Sequence, residues 1–218
     1  MSSCCHAGPC EDLFGHDWAQ RDMETYLRSG LGNIESHMLE ALTLAAPVLS
    51  GTRVLEIGGG VGAMQAELLR RGAATGEVIE IVGAYAPFAL RLAHQVGVAD
   101  KTSFRIHDVL SQPDAVDRAD FVVMNKVVCC SSVGPALAAT AARLTTCALV
   151  LSLPRYNWFT RAVAMLQRAL FRALGRSYRA YVWPHESIAA AAVSGGLELQ
   201  QSGGGALWRY MLFVRRSS

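Results

Sequence analysis

The chain reads as a single α/β domain built on a mostly parallel sheet, preceded by a helical N-terminal segment. Three observations predict this. From residue 53 onward, short Val-, Ile- and Leu-rich runs alternate with helical stretches. Those runs are continuously apolar, as strands buried on both faces must be. The 218 residues are 51% apolar and only 17% charged, enough to bury a large core and to exclude disorder along the whole chain.

The elements follow in order. Residues 1–10 (MSSCCHAGPC) form a flexible Cys-rich arm. Residues 11–46 form a helical cap in two pieces, broken near Gly30 and Gly32. In the second piece Ile34, Met38, Leu42 and Ala45 recur at helical spacing. Arg53–Ile57 is the first strand and ends in a glycine cluster, and Ala63–Arg71 is a helix. Glu77–Val82 is the second strand and Pro87–Val96 the next helix. Thr102–Ile106 and Phe121–Met124 are strands three and four. A helix over Val133–Leu144 leads to the fifth strand, Ala148–Leu153, and a long helix covers Phe159–Leu174. A helix at Glu186–Ser194 and two strands, Leu197–Gln201 and Trp208–Val214, close the chain. Ser202–Gly205 is too short for a parallel crossover, so the last two strands pair antiparallel.

Charge and cysteine usage narrow the function classes. Twenty basic residues against eighteen acidic ones give a formal charge of +2, without a block of five or six basic residues. A dedicated nucleic-acid binder is not expected. No stretch is long and apolar enough to cross a membrane, and the N-terminus lacks a signal-peptide core. A cytoplasmic location follows as the expectation. The six cysteines make no CxxC pair, so free thiols are expected rather than disulfides.

The chemistry centres on Glu56-Ile57-Gly58-Gly59-Gly60-Val61-Gly62-Ala63, after the first strand and opening a helix. Glycines there let the backbone turn tightly and approach a ligand closely. Gly58, Gly60 and Ala63 fit the dinucleotide fingerprint, which would make the protein an NAD(P)-dependent oxidoreductase. The same residues fit an acid-x-Gly-x-Gly-x-Gly pattern with Glu56 as the acid. Glu80, ending the second strand, suits either, because an acid there accepts hydrogen bonds from ribose hydroxyls. Glu56 would repel a pyrophosphate but suits a cationic amino-acid moiety. Neither lysine, Lys101 or Lys126, has the Tyr four residues earlier that a small dehydrogenase would carry.

From about residue 50 to its end the chain resembles the class I S-adenosylmethionine-dependent methyltransferases. The residues that carry the likeness are VLEIGGGVG (54–62), VIE (78–80), HDV (107–109), ADFVVMNKVV (119–128) and the closing hairpin. The resemblance implies a methyltransferase domain over 47–218, with a Rossmann-like seven-stranded sheet of order 3-2-1-4-5-7-6 and an antiparallel last strand. It implies S-adenosyl-L-methionine as cofactor. Glu56, Gly58, Gly60 and Gly62 would cradle its methionine part, and Glu80 its ribose. Ala84 and Tyr85 would lie near adenine, Asp108 at the adenine amino group with the Val109 N–H near the ring, and Asn125 at the methionine end. Val82-Gly83-Ala84 departs from the family in lacking a hydroxyl, and Lys126 must point away from a sulfonium or pair with an acid. The stretch from Leu153-Pro154-Arg155 through Arg179-Ala180-Tyr181-Val182 is similar to the magnesium-protoporphyrin O-methyltransferases.

A small-molecule methyl acceptor is the expected partner, bound over the carboxyl ends of the strands. The cap offers His16, Asp22, Tyr26 and His37. Tyr26 is favoured as an aromatic lid, with His16 and Cys129 as further catalytic candidates; each could equally be structural. Cys129-Cys130 could be small buried residues, or could join Cys4, Cys5 and Cys10 in a thiol site for a soft metal or trivalent arsenic. On the long helix Arg161, Arg168 and Arg172 fall on one side, with Trp158, Val163, Leu166, Leu170 and Phe171 over much of the rest. The expected reading is a core-packed helix with a solvated arginine face. Contact with a membrane surface, or arginines for an acidic acceptor, are the alternatives. The oligomeric state is left open.

Overall fold

The structure is a computed structural model and describes residues 10–46 and 48–216. A seven-stranded sheet runs in the order β3-β2-β1-β4-β5-β7-β6. Its strands are β1 Arg53–Ile57, β2 Thr75–Glu80, β3 Thr102–Ile106, β4 Ala119–Met124, β5 Thr145–Pro154, β6 Leu197–Gly204 and β7 Trp208–Arg215. Strands β1 to β5 pair in parallel, and β7 pairs antiparallel to both β5 and β6. This is the expected sheet in both order and sense.

The helices are α1 His16–Ser29, α2 Asn33–Ala45, α3 Ala63–Arg70, α4 Ala86–Gln95, α5 Gly134–Leu144, α6 Trp158–Ala173 and α7 His185–Ser194. Strand alternation sorts them into layers. Val54, Phe121, Val123, Ala148 and Val150 meet α2, α3 and α4 on one face. Leu55, Val122, Met124, Leu149 and Leu151 meet α5 and α7 on the other. Both faces of the central strands are therefore buried, which is why their sequences are apolar without alternation.

Three expectations change. Of the residues read as a cap, α2 is a layer helix packed against the sheet through Met38, Leu39 and Leu42. Only α1 stands over the strand ends, with Met23 and Tyr26 packed against Val61, Tyr85 and Phe88. Strand β6 continues to Gly204, so Ser202–Gly204 is paired strand and not loop. Gly203 pairs with Tyr210, whose ring would lie 2.8 Å from any added Cβ. Glycine thus lets the edge strand lie under that ring.

The third change concerns α6. Asn157 and Thr160 form a reciprocal capping box at its start, and the helix is rich in Ala, Leu, Arg, Gln and Met. Those features favour a helix locally. Only Thr160 and Ala164 of its sixteen residues are buried. The expected packing of its apolar face into the core is not found.

Candidate functional site

One large cavity opens over the carboxyl ends of the parallel strands, with a volume of about 1310 Å³. Pockets for single drug-sized ligands run to about 1,000 Å³, so this one has room for two molecules side by side. Its floor is the turn after β1. Gly58 holds φ 62 and its N–H donates to the Ile79 carbonyl at 2.7 Å, folding the turn across β2. A Cβ on Gly58 would lie 2.6 Å from Val127, so both the conformation and the space require glycine.

Two buried carboxyls flank this turn. Glu56 follows Val54 on the same face of β1 and points at the start of α3, where it accepts the Gln65 N–H at 2.9 Å. Burial, the α3 amides notwithstanding, pushes its carboxyl up to about 8, and the nearby Glu80 adds to the shift. Glu80 accepts the Gly60 N–H at 3.0 Å on one oxygen and the Ile81 and Val82 N–H groups at 2.8 and 3.0 Å on the other. Burial raises it too, and those three amides pull it back down. A carboxylate accepts about four hydrogen bonds, so Glu80 keeps about one site for a ligand hydroxyl.

The walls are tied to the floor by side chains from α1 and α2. The Tyr85 hydroxyl donates to Asp22 on α1 at 3.0 Å, and its ring lies 3.1 Å from where a Gly60 Cβ would sit. Burial drives the Tyr85 phenol up, as does the Asp22 charge; burial also raises Asp22, against the Tyr85 bond. At the end of β4, Asn125 and Lys126 both bond Glu35 of α2, at 3.0 and 2.6 Å. Ser152 of β5 completes the set, accepting the Lys126 N–H at 2.9 Å and donating to Asn125 at 2.8 Å. Burial pushes Glu35 up, but the Lys126 ammonium and the Asn125 amide outweigh it and hold the carboxyl below its ordinary value. Of the two arrangements expected for Lys126, pointing away or pairing with an acid, the structure shows the pairing.

Of the residues expected to line a cofactor site, Glu56, Gly58, Gly60, Glu80, Tyr85, Asp108, Val109 and Asn125 all lie on this cavity. Gly62 does not. It is the residue before α3, at φ 76, and a Cβ there would lie 2.8 Å from Val78. It shapes the turn from behind. Asp108 uses one oxygen to accept the Leu110 N–H at 2.9 Å.

The catalytic candidates fare differently. Tyr26 lines the cavity, but its hydroxyl donates to Glu67 at 2.7 Å; burial and Glu67 push it up to about 12. It is a tether, and its phenolate is out of reach near neutral pH. His16 is exposed, packed edge-on to Phe88 at 4.8 Å, and His37 lies outside on α2 near Tyr210; neither lines the cavity. The helical turn of about 100° between neighbours carries His37 off the face that buries Met38 and into solvent.

Cys129 and Cys130 do line it, with sulfurs 4.0 Å apart and Cys130 3.3 Å from the Tyr178 hydroxyl. The Cys130 bond and burial push the Cys129 thiol up, whereas bonds from Cys129 and Tyr178 hold Cys130 below the usual thiol range. Cys10 is buried and lines the same cavity, while Cys4 and Cys5 lie outside the described residues. Among the described residues no three His, Cys, Asp or Glu side chains are grouped to hold a metal ion.

Sequence reasoning missed Glu35, Ser152 and Tyr178. Lys126 raised an acid partner as one of two expectations, but Glu35 lies 91 positions away and nothing local marks it. It also missed Ser132, which lines the cavity and whose buried hydroxyl has no partner among the described residues.

No protein-family model matches the chain, and no curated sequence matches it. Solved structures do. Magnesium protoporphyrin IX methyltransferase from Synechocystis PCC 6803, with bound SAH, superposes with a TM-score of 0.72 at 19% identity, covering 95% of this chain and 98% of that one. The same protein with bound SAM gives 0.72 at 18%, covering 99% and 100%. An O-methyltransferase family protein from Burkholderia thailandensis gives 0.73 at 18%, covering 97% of this chain and 64% of that one. With the strand order and the antiparallel β7, these likenesses show that the chain has the class I methyltransferase fold.

Proposed function

We propose that the protein transfers a methyl group from S-adenosylmethionine to a small, largely apolar acceptor. The observation that carries this is the pair of buried carboxyls, Glu56 and Glu80, on either side of a glycine turn at the cavity floor. Such a floor favours a ligand that is cationic at one end and rich in hydroxyls beyond it, and disfavours a pyrophosphate. The structural neighbours from Synechocystis, crystallised with SAM and SAH, support the same cofactor.

The residues fit that group. Glu56, at the start of α3, would face its amino-acid end, and Glu80 has an acceptor site left for a ribose hydroxyl. Tyr85 and Val109 would border the base, with the second oxygen of Asp108 available to an amino group. The cofactor supplies a methyl group already activated as a sulfonium substituent, so the protein's work is alignment and exclusion of water.

The acceptor side is bounded by Phe14, Trp18, Phe159, Val163, Tyr181 and Trp208. Aromatic and aliphatic walls of this kind hold a flat or greasy molecule. If the acceptor is a hydroxyl or thiol it must shed a proton. Asp22, raised by burial, and Cys130, held low by its neighbours, are the groups placed to take it.

The test is thermal unfolding with S-adenosylmethionine, S-adenosylhomocysteine, NAD and NADP in parallel. A ligand at about 100 times its Kd adds about 2.7 kcal/mol. For this chain length that raises the midpoint by roughly 5–10 °C. The expected result is a shift with the two S-adenosyl compounds alone; a shift with NAD or NADP instead overturns the reading.

A further inference from the structure

Helix α6 leaves a broad apolar face in water. Trp158 is 80% exposed, Leu166 72% and Leu174 63%, with Phe159, Val163 and Leu170 alongside. At 100° per residue these side chains form one continuous sector, while Arg161, Arg168 and Arg172 form a stripe along its margin. Thr160, Ala164 and Gln167 occupy the third sector and line the cavity together with Phe159 and Val163, which are half-exposed and border both the cavity and water. Water, the arginine stripe and the cavity therefore meet around a single helix.

The charge around this face is one-sided. Residues 155–185 carry six arginines (155, 161, 168, 172, 176 and 179) and no acid. The chain totals 20 basic and 18 acidic residues, so the remainder has 14 against 18, or −4. The whole net positive charge sits on the segment that bears the exposed apolar face. Among the described residues no helix is long and apolar enough to cross a membrane. A helix of sixteen residues with an apolar sector, an arginine margin and an aromatic start is built to lie in the plane of an interface.

We propose that α6 docks the protein onto an anionic lipid surface, with its apolar sector among the acyl chains and its arginines at the headgroups. The arginine stems can bury along the apolar boundary while their heads reach phosphate. A second copy of the chain is a poorer occupant: twofold pairing through this face would set one arginine segment against another, with no acid in either to offset it. Because α6 also walls the cavity, docking brings the cavity mouth to the bilayer, so an apolar acceptor enters from the lipid phase. That entry route rests on the methyl-transfer reading; the docking does not.

The experiment is co-sedimentation of the full chain with vesicles of phosphatidylcholine alone and of phosphatidylcholine mixed with phosphatidylglycerol, at low and high salt. The chain is expected to pellet with the mixed vesicles, stay in solution with the neutral ones, and be released by salt. The exposed double variant Leu166→Glu with Leu170→Glu should lose binding. Arg172→Glu should weaken it at least about fivefold, the equivalent of one charge near the surface. Circular dichroism and melting checks that both variants stay folded. Failure to bind the mixed vesicles, or equal binding to both kinds, overturns the proposal. So does a concentration-dependent dimer in light scattering that the double variant abolishes, since a second copy would then be the occupant. The donor is measured separately on the same protein by its melting shift. Vesicle binding without a shift sinks only the function proposed above, and a shift without vesicle binding sinks only the docking.

Discussion

Two helices flank β5 in the chain and meet opposite fates. Helix α5, before it, buries seven of eleven residues, all small or medium: Gly134, Leu137, Ala138, Thr140, Ala141, Ala142 and Leu144. Helix α6, after it, carries larger apolar side chains and buries two of sixteen. Both are amphipathic. The difference lies in what faces them: α5 lies against β4, β5 and α7, and α6 lies beside the cavity mouth with one narrow strip turned inward. Apolar spacing identifies a face; it does not say whether sheet, ligand or something outside the molecule covers it. The cavity shows the same contrast. Its floor is pinned by buried acids and backbone amides, while α6 on its wall is joined to the following loop through Arg168, which donates to the Ala180 carbonyl and stacks on Tyr181, and through Phe171, which meets Tyr178 and Arg176.

The strongest way to break this comparison is a charge on each helix. Ala141→Asp, at a fully buried position, should cost about 4 kcal/mol or more, a buried unpaired carboxylate in a closed core. Urea unfolding reads it. A tolerated Ala141→Asp would mean that α5 is no better packed than α6.

The floor should respond to pH. Glu56 titrates near 8 when folded, above the ordinary 4.5. The folded state then holds the proton longer, so the ligand-free protein loses stability as pH rises from about 5 through 8. A cationic ligand favours the ionised form, so affinity for S-adenosylmethionine should rise about tenfold per pH unit up to about pH 8. Calorimetry across that range checks it, and Glu56→Gln should flatten the curve. An unchanged slope in that variant would assign the titration to another group.

Glu80→Gln should weaken donor binding by roughly 1.5–3 kcal/mol, the usual cost of losing a charged hydrogen-bond acceptor. Glu80→Gln keeps one accepting oxygen and strands only the amide or amides on the other, whereas Glu80→Ala would strand all three and confound binding with stability further.

Lys126→Ala should cost about 1–2 kcal/mol by leaving Glu35 half-buried without its cation. Glu35 is held below 4.5, so its contribution is present above that pH and lost as pH falls through the lower folded value. The gap between wild type and variant should therefore close in acid below about pH 4.5. A gap constant with pH would show that packing of the lysine on Trp208, 5.3 Å away, matters more than its charge.

The smallest effect belongs to α6. Leu166→Glu should change stability by no more than about 0.5 kcal/mol, because its side chain is 72% exposed. A large loss would mean that its face is covered within the molecule.

Element order and strand order were legible because each parallel strand is a short apolar run closed by a turn. Strand ends were less so. Gly76 and Ser202–Gly204 are poor strand formers, recruited by pairing with Thr102 and with β7 rather than by propensity. The cavity floor was legible for a related reason: ligands sit where parallel strands end, and Glu56, Glu80 and Asp108 all follow or end such strands. Roles that depend on partners distant in sequence were not. Tyr26 was visible as an aromatic on the cap, but Glu67, which takes its hydroxyl, lies 41 positions away. His16 and His37 were attractive as residue types, and only the helix phase shows that they face outward.

The arginine segment at 155–185 also bears on how fast the molecule finds its surface. Six positive charges on that segment against −4 over the rest of the chain separate charge between the two parts of the sequence. In a field from a negative plane such a body turns before it touches, so a large share of collisions is correctly oriented. Salt with a Debye length near 8 Å shortens the reach of that torque. Arrival rate should therefore fall with ionic strength more steeply than departure rate rises, making encounter, rather than residence, the step that ionic conditions control.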